Sequence, residues 1–285
     1  MGVKMITLWW ILPLIILGLV LGFYGRNLLD KAELHQITQD LSTPAGQDVE
    51  TYDPALVSDL PEAAQRYFNF SLRPGAKLYR NVRLEMHGEL GLGDKAQPNY
   101  FPFTATQFIV PDRGFTWALR SNSFPMLISG SDMMWDDQSW TRFWLFGNVP
   151  VARDGGSDDH FKSAEGRLLV ELAAWSPAAL LPQNGVAWTQ EGPNIARAWL
   201  TTSTGRHWVD VHLNQDGQPK AYVIERWSNA NAEGQYRPQP FGGTPSTFID
   251  IEGTKIAAQV DVGNHFGTED YFPFFKASLD KIEFF

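Results

Sequence analysis

FKSAEGRLLVELAAW, residues 161–175, sets Leu168, Leu169, Leu172 and Ala173 at the spacing of one helix face. The stretch ends in Ser176-Pro177 and then Ala178-Ala179-Leu180-Leu181-Pro182, a helix stop followed by a compact apolar corner. It interrupts a chain that otherwise alternates with period two. One amphipathic helix inserted among strands predicts an α+β fold, with that helix packed on the concave face of an antiparallel sheet.

Upstream, Val82, Leu84 and Met86 alternate with Arg83, Glu85 and His87, and Phe115, Trp117 and Leu119 alternate with Thr116, Ala118 and Arg120. Downstream, Val209, Val211 and Leu213 alternate with Trp208, Asp210 and His212, and Ile256, Ala258, Val260 and Val262 repeat the pattern. Such alternation marks strands with one buried and one wetter face. Turn signals at Gly91-Leu-Gly93-Asp94, Asp216-Gly217 and Glu252-Gly253 separate them, and the segments count to about nine to eleven strands. Ahead of the sheet, Ser58-Asp59-Leu60-Pro61-Glu62 reads as a capped helix start, running to about Phe70.

The N-terminus differs in kind. Met5 to Tyr24 (MITLWWILPLIILGLVLGFY) carries no charge. About 20 apolar residues at 1.5 Å rise span a hydrocarbon core of roughly 30 Å. Trp9, Trp10 and Tyr24 stand at its ends like interfacial aromatics, and no small-residue cleavage site follows, so the expectation is an uncleaved anchor. Lys4 on one side and Arg26 and Lys31 on the other leave the charge rule for orientation nearly tied. Residues 26–41 continue at helical spacing as a stalk, and Pro44, Gly46 and Pro54 mark a linker. The division is therefore 1–25 anchor, 26–57 stalk and linker, and 58–285 a β-rich soluble domain.

Composition excludes several functions. The chain of 285 residues has 23 basic and 32 acidic side chains, net −9, which removes nucleic acid as a partner. With no cysteine there is no disulfide, thiolate metal site, iron–sulfur cluster, cysteine nucleophile or lipid-bearing N-terminal cysteine. Asp158-Asp159-His160 is metal-like in composition only, because consecutive residues on an extended chain point apart and acids suit a helix N-terminus. Asp210 and His212 share a strand face, about 6.5–7 Å apart, without a third catalytic partner in sight. No G-x-S-x-G, H-E-x-x-H, P-loop or G-x-G-x-x-G is present, so no catalytic residue, metal or cofactor is expected.

Tryptophan carries the remaining signal. Of 11 in the chain, Trp9 and Trp10 lie in the anchor and the rest in the domain. Met133, Trp135, Trp140 and Trp144 form a hairpin apolar on both faces, which suits a core on one side and a cavity or bilayer on the other. Trp208 lies on the polar face of its strand, and Arg226 shares a face with Ile224 while Trp227 points the other way. These seven residues are the candidate ligand-binding set.

The segments LPEAAQRYFNF (60–70), FPFTATQFIVPDRGFTW (101–117), AAWSPAALLPQNGVAW (173–188), DGQPKAYVIERW (216–227) and IEGTKIAAQVDVG (251–263) resemble, in this order, a family of uncharacterised bacterial proteins similar to the LolA/LolB-like lipoprotein-carrier superfamily. The resemblance implies an open, strongly curved antiparallel half-barrel lined with apolar residues and lidded by helices. It supplies no catalytic residues to carry over. Together with the anchor, it implies a single-pass bacterial inner-membrane protein whose periplasmic half-barrel binds a lipid, an acyl chain or a lipidated partner. The alternatives are an accessory subunit that binds another membrane protein, and an enzyme acting on a lipid or glycan through Asp210 and His212.

Overall fold

The computed structural model describes residues 3–43 and 49–285, with side chains from Ile11 onward. Linker residues 44–48 and the side chains of Trp9 and Trp10 lie outside the described residues. The first helix, α1 (Val3–Leu41), runs 39 residues and accommodates Pro13 without ending. From Ile11 to Tyr24 every position is exposed, and this helix is long and apolar enough to cross a membrane. Beyond that stretch Asn27, Asp30, Ile37 and Leu41 are buried and Leu34 is half-buried, so covered positions recur every three to four residues down one side. Leu28 and Leu29 of the same stalk are exposed.

Helix α2 (Glu62–Ser71) starts at Pro61, one turn later than the Ser58 cap that the sequence suggests. Ser58 closes a short 3-10 turn over Pro54–Val57, and Gln65 Nε2 donates to the carbonyls of Ser58 and Leu60. Helix α3 (Asp158–Trp175) begins where Ser157 Oγ accepts from His160 N, with Asp158 and Asp159 in its first turn. The acidic cluster thus opens the helix.

Among the described residues thirteen strands form one antiparallel sheet, more than the alternation alone reveals. They are β1 (Val82–Gly91), β2 (Tyr100–Val110), β3 (Gly114–Arg120), β4 (Ile128–Trp135), β5 (Gln138–Leu145) and β6 (Val149–Gly155), then, after α3, β7 (Ala187–Gly192), β8 (Ile195–Thr202), β9 (Gly205–Leu213), β10 (Pro219–Ser228), β11 (Arg237–Ile251), β12 (Thr254–Asn264) and β13 (Phe272–Phe284). The order is β6-β5-β4-β3-β2-β1-β13-β12-β11-β10-β9-β8-β7, so the last strand returns to pair with the first at mid-sheet. Edge strands such as β6 are harder to read, because most of its positions are exposed and its alternation is one-sided.

The hairpin turns follow local chemistry. Glu252 and Gly253 both have positive φ (52° and 93°), closing the two-residue turn between β11 and β12 in the hand that matches strand twist. Ala258 has no partner on β11, and this bulge slips the alternation of β12, burying Ala257 beside Ile256. The two edges of the sheet, β6 and β7, are joined in sequence by α3. That helix packs against strands of both halves, so the sheet wraps around it as an open half-barrel. Helix α2 covers the β7–β9 end, where Tyr67, Phe68 and Trp188 cluster and Tyr67 Oη donates to Ala173 O at 2.8 Å.

Candidate functional site

Two stripes of α3 are buried. Leu168, Leu169, Leu172 and Ala173, at most 5% exposed, form the apolar face read from the sequence and join the main core. The second stripe, Arg167, Val170, Glu171 and Ala174, follows the same three-to-four-residue period and faces a cavity of about 530 Å³. Its remaining walls come from inward positions of the strands: Trp117 and Leu119 of β3, Phe143 and Leu145 of β5, Tyr222 and Arg226 of β10, Val260 and Val262 of β12, and Phe274 and Phe275 of β13. Period two supplies alternate residues of β3, β5, β10 and β12 to one surface, while β13 gives the consecutive pair Phe274 and Phe275 beside its irregular register with β12. The volume lies within the range of small-molecule pockets.

Against this lining stands a cluster of four charged groups. Arg167 Nη1 contacts Asp132 Oδ2 at 2.8 Å and its Nε contacts Glu171 Oε1 at 2.7 Å. Glu171 Oε2 in turn accepts from Gln107 Nε2 at 2.7 Å. Burial disfavours both charged forms. Glu171 is held above the usual carboxylate range by that burial, whereas for Arg167 the two carboxylates outweigh it and raise the guanidinium further. The fourth group, Arg226, is pushed down to about 10 by burial and by the neighbouring Arg167, and so stays cationic at neutral pH. Among the described residues Trp117 Nε1 and Asp132 Oδ1 have no hydrogen-bond partner, each buried at a cost of about 1–3 kcal/mol.

Of the seven sequence-derived candidates, the structure places Arg226 at this cavity and the others elsewhere. Met133 and Trp140 are buried with Ile37 and Leu41 of α1, and Trp135 packs against the same group with Arg113 stacked on its ring at 3.6 Å. Trp144 donates from Nε1 to Asp30 at 3.0 Å and meets Phe23 edge-on. The β4–β5 hairpin is therefore apolar on both faces because the stalk covers its outer face while Phe143 and Leu145 face the cavity. Trp208 lies on the outer face of β9 under the Arg197 guanidinium, 4.0 Å away. Trp227 donates to Asp159 Oδ1 at 2.7 Å and carries Lys162 over its ring, pinning the start of α3.

Asp210, the carboxylate of the enzymatic alternative, forms a two-pronged pair with Arg197 at 2.6 and 2.8 Å. His160 contacts Ser139 Oγ and Thr141 Oγ1 through its two ring nitrogens. Among the described residues, no group of three His, Asp or Glu side chains is arranged to hold a metal ion. Sequence reasoning missed Arg167, Glu171 and Asp132. The signal was an i, i+4 charged pair inside the otherwise apolar RLLVELAAW, and one carboxylate inside ISGSDMMW.

Fold and site define a class: an open antiparallel half-barrel with an apolar cavity under an inserted helix, preceded by a membrane-length helix. The chain belongs to a family of unknown function, DUF6544, whose model matches residues 50–277. Among solved structures it is similar to a LolA superfamily protein from Nitrosomonas europaea, with 8% identity over 78% of this chain and 91% of that one and a TM-score of 0.38. A DUF1329 family protein from Desulfovibrio piger aligns with 8% identity over 72% and 86% of the two chains, TM-score 0.35. An uncharacterized conserved protein from Thermus thermophilus aligns with 10% identity over 79% and 86%, TM-score 0.24. No curated protein matches the chain in sequence.

Proposed function

We propose that this protein is a membrane-tethered binding module that holds a lipid, an acyl chain or the acyl part of a lipidated partner. The tether is α1, in the bacterial inner membrane, and the half-barrel stands on the periplasmic side. The observation that carries the reading is the cavity of about 530 Å³, walled by aromatic and aliphatic side chains of both sheet halves and by α3. Burying an alkyl chain there gains about 0.8 kcal/mol per methylene.

The position of the cavity supports the same reading. Asn27 Nδ2 donates to Gly147 O at 2.7 Å, tying the β5–β6 turn to α1 three residues past Tyr24. Leu145 and Val151, which flank that turn, line the cavity, as does Met126 in the β3–β4 loop. The two loops are joined by Phe146 N donating to Leu127 O, and they expose Phe124 (82%) and Phe146 (49%). An apolar rim beside the emerging helix lets an acyl chain pass from bilayer to cavity with little exposure to water.

Native mass spectrometry of the full chain, purified in a non-ionic detergent, tests the proposal. A discrete acyl-containing adduct that survives detergent removal is expected. An empty chain that also takes up no acyl probe overturns it. An empty chain that keeps a second membrane protein through mild solubilisation favours the accessory-subunit reading.

A further inference from the structure

Arg226 reaches the interior of the half-barrel with its guanidinium over the Phe241 ring, 4.9 Å from its centre, and without an ion-pair partner among the described residues. Its Nε donates to Ser163 Oγ at 3.2 Å and reaches Ser163 O at 3.4 Å. Among the described residues its two terminal nitrogens have no protein acceptor, and no carboxylate lies within 4.0 Å. Arg167, one helix turn away along α3 from Ser163, shows the contrast, since two carboxylates hold it. Gly166 leaves room beside Arg226, because a methyl group there would stand 3.9 Å from Arg226 Cγ.

Trp117 makes the second, independent observation. It is 4% exposed and lines the same cavity, yet its indole N–H, which can only donate, has no acceptor. A purely hydrocarbon ligand leaves both donors unmatched. A ligand whose head offers an acceptor there is held more tightly than one that offers none. Asp132 Oδ1, a buried acceptor without a donor, adds a place for a hydroxyl on the same head.

We propose that this end of the cavity is an anion site, in which Arg226 receives the carboxylate or phosphate head of a single-chain amphiphile and Trp117 supplies a second donor. The planar fork of an arginine fits either oxyanion with two parallel hydrogen bonds. Restriction to one chain follows from the cavity of about 530 Å³, in the middle of the range for small ligands. The inference rests on the acyl-binding reading above and adds the chemistry of the head.

Competition native mass spectrometry tests it on the full chain with an equimolar mixture of hexadecanoic acid, hexadecyl phosphate and hexadecanol, three heads on one tail. Retention of at least one acid over the alcohol by about tenfold or more is expected, a charge-assisted hydrogen bond being worth that factor or better. Which acid wins tells a carboxylate from a phosphate source. In Arg226→Gln the preference disappears while hexadecanol binds as before, and in Arg226→Lys, which keeps the charge, a preference persists. If wild type retains the alcohol as well as the acids, the anion site is wrong and the apolar cavity stands. If none of the three is retained, the acyl-binding reading fails and the anion site with it.

Discussion

Asp30 of α1 takes Arg153 of the edge strand β6 at 2.6 Å, so the helix that carries the apolar segment is clamped to the rim of the half-barrel. Arg142 Nη1 and Trp144 Nε1 complete the site at 3.4 and 3.0 Å, around a carboxylate that is 7% exposed. Burial pushes the Asp30 carboxyl up, but the Arg153, Arg142 and Trp144 partners together hold it below the usual range. Asp30→Ala is expected to loosen α1 at a cost of about 1–3 kcal/mol, below the value for a fully buried pair because Arg153 is partly exposed. Hydrogen exchange checks it: amides of residues 26–41 exchange faster in the variant, while those of β9 and β10 are unchanged. Equal protection of the stalk in both proteins rules the clamp out.

Gly166 sits in mid-helix, where glycine is the poorest choice but proline. A Cβ there meets Ile224 Cδ1 at 3.7 Å and Arg226 Cγ at 3.9 Å, ordinary contact distances. Gly166→Ala is therefore expected to stabilise the fold by about 0.5–1 kcal/mol, raising the thermal midpoint by a few degrees. A calorimetric midpoint at or below wild type shows that α3 needs the missing side chain for room.

The residues that state one periodicity were legible in the sequence. Val209, Val211 and Leu213 are fully buried, and the Phe161–Trp175 helix lies in the sheet where its apolar face requires. What the alternation left open was the cover of a second apolar face. Met133, Trp140 and Trp144 looked like a ligand wall because nothing local distinguishes a ligand from a helix 100 residues upstream as the covering group. The polar end of the cavity was hidden for the opposite reason. Arg167 and Glu171 stand at i, i+4, a spacing that equally suits a solvated helix face, and only the wrapping of β4 and β10 around α3 turns them inward. Arg226 was legible because its strand neighbour Ile224 fixes its face.

Ala152 offers a way to fill the cavity without touching the core. It lines the cavity from the edge strand β6, half-buried, where a larger side chain meets little resistance from the interior. Ala152→Trp is expected to remove the acyl adduct from the native mass spectrum while the free energy of unfolding stays within about 0.5 kcal/mol of wild type. Retention of the adduct at wild-type level places the ligand elsewhere.

His160 ties the start of α3 to β5, with Nδ1 2.7 Å from Ser139 Oγ and Nε2 3.2 Å from Thr141 Oγ1. Burial lowers its pKa below the ordinary 6.5. Asp154 and Asp132 oppose that shift, and Arg226 adds to it. The unfolded chain therefore binds a proton more readily than the folded one, so stability from the neutral ring is complete above 6.5 and drains away as pH falls through the folded value. His212 is depressed in the same direction, chiefly by burial, and adds to the slope, whereas Glu165, lowered by His207 and the Thr202–Thr204 hydroxyls against its burial, adds a further loss at more acidic pH. His160→Gln keeps a donor and an acceptor for the two hydroxyls but cannot titrate. Thermal midpoints measured from about pH 7.5 down to about 5.5 should fall in both proteins, less steeply in the variant. Parallel curves mean that the His160 ring binds protons equally in the folded and unfolded chain, and the slope is then owed to other groups, His212 and Glu165 among them.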